Sequence, residues 1–143
     1  MLPMGLLRRA SIGCVVRAGS AVPLFVQDFR RLQVWERAHW LAINVRRATR
    51  SFPRSGYASL KSQIVNAAES IPFNIVEGCG AHTRKDFAKF LDVSIKSSSE
   101  LEYGLQLARD NGVLSLERWR ALIAEAVEIR KMLCALRGKV LAG

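Results

Sequence analysis

The stretch SIPFNIVEGCG, Ser70–Gly80, decides how the chain is read. Ile71 and Ile75 are spaced as on one face of a helix, yet Pro72 follows the first of them directly. A proline inside a helix cannot donate to the carbonyl four residues back, here that of Ala68, and its ring crowds that carbonyl, at a cost of about 3 kcal/mol. Compensation is therefore expected nearby. Asn74 and Glu77 are polar members of the same run, and a later block offers Ser94, Ser97, Ser98 and Ser99 followed by Glu100. Small serines there would let two helix backbones approach, and their hydroxyls could bond the carbonyl freed by the proline. The reading is a kinked second helix tied to a third by polar contacts; the alternative is two shorter helices meeting at Pro72.

Outward from this stretch, apolar residues recur at three and four positions, the period of a helix rather than a strand. The second helix begins near Tyr57 and aligns Leu60, Ile64, Ala67, Ala68, Ile71 and Ile75. It stops at EGCG, where Gly78 and Gly80 can take the left-handed conformation common at helix ends. A first helix precedes it, with Phe29, Leu32, Trp35, Ala38, Ala42, Val45, Thr49 and Phe52 on one side and Pro53 and Gly56 as its terminators. A third starts at the cap Thr83 and aligns Phe87, Leu91, Ser94, Ser98, Leu101, Leu105 and Ala108. Asn111 and Gly112 stop it, Ser115 caps the fourth, and Trp119, Leu122, Ala126, Ile129, Leu133 and Leu136 form the last stripe. Four amphipathic segments with short connections predict an all-α fold, an antiparallel up-down-up-down four-helix bundle over 27–140.

Residues 1–26 read differently, with scattered Gly, Pro and Arg and no sustained period. This irregular or disordered leader is expected to lie outside the fold. Arg8, Arg9 and Arg17 interrupt any secretory or membrane-spanning apolar run. A targeting segment, a disordered tail and a misassigned start all remain open readings. The chain's 143 residues, 50% of them hydrophobic, suit one domain with a substantial core. Cys14, Cys79 and Cys134 are odd in number and far apart, so they suggest neither a disulfide framework nor a zinc pair, and a cytoplasmic setting with reduced thiols is expected.

The blocks LQVWERA, SIPFNIVEG and FAKFLDVSIKSSSELEYGLQLA, in that order and spacing, resemble the four-helix bundle family named for the protein encoded within 23S rRNA intervening sequences. The resemblance spans Phe29 to Leu136, and its pattern falls on Ser70, Ile71, Pro72, Asn74, Ile75, Glu77 and Gly78, with the serine block before Glu100 matching a second motif. It implies a non-enzymatic bundle that assembles into a ring-like homo-oligomer, a pentamer favoured, and associates with RNA or a ribonucleoprotein. A related group serves as accessory proteins to the reverse transcriptases of diversity-generating retroelements. The chain departs from the family at QIVNAA, where Val65 and Asn66 stand in place of basic residues, so no nucleic-acid contact is carried over there. Gly104 is a second departure, costing about 1 kcal/mol in a helix unless another helix or subunit crosses close by.

The residues also say where positive charge lies. The chain carries 22 Lys and Arg against 12 Asp and Glu, a formal +10 that favours anionic partners. Residues 29–54 hold seven arginines against Glu36 alone, a balance of +6, compared with −1 for residues 55–82 and +3 for 83–140. Arg46, Arg50 and Arg54 are four apart, with Arg47 beside them, so a persisting helix would project a row of planar donors suited to phosphate oxygens. Arg84, Lys85 and Lys89 form a second candidate group at the start of the third helix, where cations oppose the helix dipole and free amides can assist an anion. A solvated basic face is the plainer reading of both.

Nothing points to catalysis. His39 and His82 belong to no triad, HExxH pair or EF-hand pattern. Cys79 and His82 alone do not complete a zinc site, Glu100 and Glu102 point in different directions on a helix, and no phosphate-binding glycine motif occurs. The expectation is no cofactor, no metal, no membrane contact and no identifiable small-molecule substrate. Trp40, flanked by off-register neighbours, is either an interface residue or, with Val34, Leu41 and Ile43, part of a broad core face. Two functional classes follow: a self-assembling RNA-binding bundle, or a protein-interaction scaffold with no nucleic-acid role.

Overall fold

The computed structural model describes residues 27–143; the leader, 1–26, lies outside the described residues. Every long element is helical: α1 (Gln33–Thr49), α2 (Ala58–Cys79), α3 (Arg84–Asp110) and α4 (Leu116–Ala142), preceded by one 3-10 turn, Phe29–Arg31. Each helix packs on the next, and α1 also packs on α4, so the four enclose one interior. Contacts between α2 and α3 pair rising with falling residue numbers, Ile64 with Gly104, Ile71 with Ser94 and Gly78 with Phe87, as antiparallel neighbours must. The same holds for α3 and α4, where Glu102 meets Arg130 and Asp92 meets Arg137.

The apolar stripes meet in that interior. All seven residues of the expected α3 face are buried, as are Ile64, Ala67, Ala68, Ile71 and Ile75 of α2 and Leu122, Ala126, Ile129 and Leu133 of α4. Trp35, Trp119 and Leu136 only pack against its margin. The two expected hydroxyl caps form: Thr83 accepts from the Asp86 amide at 3.1 Å and Ser115 from the Arg118 amide at 3.2 Å.

The first helix is shorter than its apolar spacing suggests. Asp28 caps the 3-10 turn by accepting from the Arg30 amide, and Leu32 is extended, so Phe29 and Leu32 precede α1. At the other end α1 stops at Thr49, leaving Phe52 as a buried residue of the following loop.

α2 runs unbroken through Pro72, whose side chain is buried. The carbonyl that receives a serine hydroxyl is that of Ile71, 2.9 Å from Ser94 Oγ, rather than the Ala68 carbonyl that the proline crowds. Beside it the Ser70 and Ser97 hydroxyls bond at 2.8 Å, and Asn74 Nδ2 donates to the Ser70 carbonyl and hydroxyl at 2.8 and 3.0 Å. Asn74 thus joins α3 through Ser70. Glu77 and Glu100 point to solvent, and Ser98 bonds its own helix at Ile95, so these three do not form the tie.

Glycine has a different use from the one expected. Gly78 lies inside α2 and Gly80 has φ −86°, whereas the left-handed glycines are Gly56 and Gly112, in the two loops at the other end of the bundle. A Cβ on Gly78 would fall 2.6 Å from the Phe87 ring, and one on Gly104 would fall 2.7 Å from Ile64 Cγ1. Both are gaps that let α2 and α3 close on each other. Gly78→Ala should therefore destabilise the protein by about 1–3 kcal/mol through overpacking. Gly138→Ala, on the open side of α4, should stabilise it by up to about 1 kcal/mol through helix propensity. Urea denaturation of the two variants checks the opposite signs.

Candidate nucleic-acid interface

The arginines of the bundle divide into those held by acids and those left without them. Arg37 makes a two-pronged pair with Glu125, both contacts 2.8 Å, which joins α1 to α4. Hydrogen bonding to Glu125 raises the Arg37 pKa above its ordinary value; burial opposes it in second place, and the charges of Glu125 and then Glu128 add to the rise. Arg130 pairs with Glu102, and Arg137 with Asp92 at 2.5 Å, joining α4 to α3. Arg46, the first member of the expected row, is also taken: its Nη2 lies 2.7 Å from Glu69 on α2. These four cations fasten neighbouring helices to one another.

Arg47, Arg50 and Arg54 are exposed and have no ion-pair partner among the described residues. Because α1 ends at Thr49, the four-residue spacing keeps Arg46 and Arg50 on one side, while Arg54 sits in the loop beyond. The same end of the bundle carries the first turns of α4, whose Arg118 and Arg120 are likewise exposed and without an ion-pair partner among the described residues, with the exposed Glu117 just before them. Arg47 and Arg118 line one pocket of ≈ 270 Å³ together with Asn44 and Leu122. Sequence reading missed Arg118 because it lies some seventy positions from Arg47; only the antiparallel return of α4 brings them together.

The second basic group is elsewhere. Arg84, Lys85 and Lys89 open α3, whose 27 residues at 1.5 Å each put them about 40 Å from the end that α1 and α4 share. Lys89 lies 3.6 Å from Asp86, Lys85 is exposed, and the Arg84 guanidinium lies against Gly143. The two expected groups therefore do not form one surface.

The candidate metal and acid pairs are also placed apart. Cys79 is buried and His82 exposed; Glu102 is occupied by Arg130 while Glu100 faces water. Burial, and secondarily the charge of Asp28, pushes the Cys79 thiol from its ordinary 9.0 to about 12.

This fold and surface define a small antiparallel helical bundle with a basic end. Residues 30–135 match the 23S rRNA-intervening sequence protein family, and the chain belongs to that family. A solved structure, a protein of unknown function from the S23 ribosomal protein family of Bacteroides thetaiotaomicron, is similar with TM-score 0.68 and 24% identity, covering 73% of this chain and 97% of that one. That likeness bears on fold. No curated protein matches the chain, and among the described residues no helix is long and apolar enough to cross a membrane.

The buried thiol carries a test of the packing beneath the site. An unfolded chain ionises Cys79 near pH 9, the folded one only near 12, so stability present below pH 9 is lost progressively as pH rises across that interval. Urea midpoints measured from pH 8 to 11 should fall more steeply for the natural protein than for Cys79→Ala. Iodoacetamide at pH 8 should label Cys134, which is exposed, and spare Cys79.

Proposed function

We propose that the protein is a non-enzymatic, basic bundle that self-assembles and binds RNA or a ribonucleoprotein in the cytoplasm, in association with the ribosome or with a reverse transcriptase. The observation that carries this reading is the sorting of its arginines. Arg37, Arg46, Arg130 and Arg137 are spent on inter-helix pairs, while Arg47, Arg50, Arg54 and Arg118 gather at one end with no ion-pair partner among the described residues. A guanidinium fork matches phosphate oxygens, and a cluster of them attracts polyanions over a distance set by salt. The family's description, which names 23S rRNA, supports RNA over other polyanions. Arg84, Lys85 and Lys89 would act as a separate, secondary contact.

Self-assembly is supported by the opposite flank. Phe73 and Tyr103 are 65% and 64% exposed on α2 and α3, and Val93 is exposed as well. Large apolar residues left in water favour a protein neighbour. A pentameric ring of identical copies is the arrangement that the family resemblance favours. The same residues favour the second reading, a scaffold for an unrelated protein partner with no nucleic-acid role.

Affinity for a structured 23S rRNA fragment, measured by fluorescence anisotropy at several salt concentrations, tests the proposal. Log affinity should fall linearly with log salt, and the triple change Arg47→Glu, Arg50→Glu, Arg54→Glu should lower affinity at least tenfold and flatten the slope. Salt-independent binding, or none, would leave the scaffold reading. Light scattering at micromolar concentration should report an oligomer that Phe73→Ser weakens; a monomeric natural protein would remove self-assembly.

A further inference from the structure

α1 and α4 do not close completely on each other. Between them runs an open cleft of ≈ 490 Å³ whose walls include Trp40, Leu41 and Asn44 of α1 and Ala121 and Glu125 of α4. Asn44 and Ala121 also line the pocket that holds Arg47 and Arg118, so the two hollows are one groove. From Arg37 to Arg47 it follows α1 for about 15 Å at 1.5 Å per residue.

The chemistry of the groove changes along its length. Its lower end is closed by the Arg37–Glu125 pair, with Glu36 also in the wall, so that end repels phosphate. Its upper end carries two guanidinium groups with no acid partner among the described residues. Between these ends stands the half-buried Trp40 indole, with His39 edge-on at 5.3 Å. Asn44, at the junction, is exposed and its amide has no hydrogen-bond partner among the described residues. An aromatic platform, an uncommitted amide and a pair of free cations, in that order, are the elements that hold a single unpaired nucleotide.

We propose that this groove is a binding site for an unpaired nucleotide of single-stranded RNA. The base lies in the cleft against Trp40, Asn44 meets its polar edge, and the adjoining phosphate is clamped between Arg47 and Arg118. The inference rests on the RNA-binding reading and narrows it, because a duplex could touch the exposed arginines but could not insert a base between two helices. An acidic peptide would satisfy the arginines and leave the tryptophan and the amide without a purpose.

The test uses a fluorescein-labelled, unstructured 12-nucleotide RNA and the same sequence as a duplex, titrated into the full chain. Single-strand affinity should fall roughly tenfold in both Trp40→Ala and Arg118→Glu. Trp40→Phe, which keeps a ring, should retain most of it, and Arg120→Glu, an equal charge change outside the groove, should cost less than Arg118→Glu. The single strand should quench tryptophan fluorescence in the natural protein and in Trp119→Phe but not in Trp40→Phe. Thermal melts confirm that each variant is folded. If Trp40→Ala and Arg118→Glu bind the single strand normally while the Arg47, Arg50, Arg54 triple variant does not, the groove is wrong and RNA binding stands. If polyglutamate competes as well as the oligonucleotide, the groove selects charge alone and the proposal is overturned. If no RNA binds, both readings fall together.

Discussion

The close seam between α2 and α3 is the constraint on which the rest of this structure depends. At one end Gly78 admits the Phe87 ring, at the other Gly104 admits Ile64, and between them hydroxyls from α3 reach the backbone and side chains around Pro72. A proline in mid-helix and two helical glycines each disfavour the helix locally, by about 1–3 kcal/mol apiece. They are tolerated together because what each removes, a donor or a side chain, is what the neighbouring helix needs removed. Buried hydroxyls in such a seam are held by satisfied hydrogen bonds, and a side chain added at either glycine would push them out of reach.

With α2 and α3 locked, the outer pair is free to differ. α1 and α4 are fastened at one level by the Arg37–Glu125 fork and remain parted above it, which leaves room for the groove. Inter-helix ion pairs engage Glu69, Asp92, Glu102 and Glu125. Among the described residues, Arg47, Arg50, Arg54, Arg118 and Arg120, which have no ion-pair partner, lie together where α1 ends and α4 begins. Removing any one staple acid, Glu69 or Glu125, would enlarge the unpaired group by one cation while loosening a helix contact.

Much of the architecture was legible because period and caps act locally. The α3 stripe, the caps Thr83 and Ser115 and the stop at Gly112 all follow from spacing, from hydroxyl chemistry and from the φ of +75° that suits glycine. Phe29 and Phe52 misled because apolar period continues past a break: Asp28 and the extended Leu32 interrupt the helix without interrupting the pattern. Gly78 misled for a related reason, since a glycine near a helix end serves equally for a left-handed turn or for a close neighbour, and only the position of Phe87 separates the two. The candidate interface was half legible. Its α1 arginines are contiguous in sequence, but Arg118, the loss of Arg46 to Glu69 and the opposite location of Arg84, Lys85 and Lys89 depend on tertiary packing.

The central claim is that the protein meets its polyanion at the α1–α4 end, on the side away from the glycine seam. Ultraviolet cross-linking of bound RNA, followed by mass mapping of the modified peptides, examines this most directly. Adducts confined to residues 40–54 and 118–122 are the expected result. Adducts concentrated on the exposed side of α2 and α3, around Phe73 and Tyr103, would contradict it.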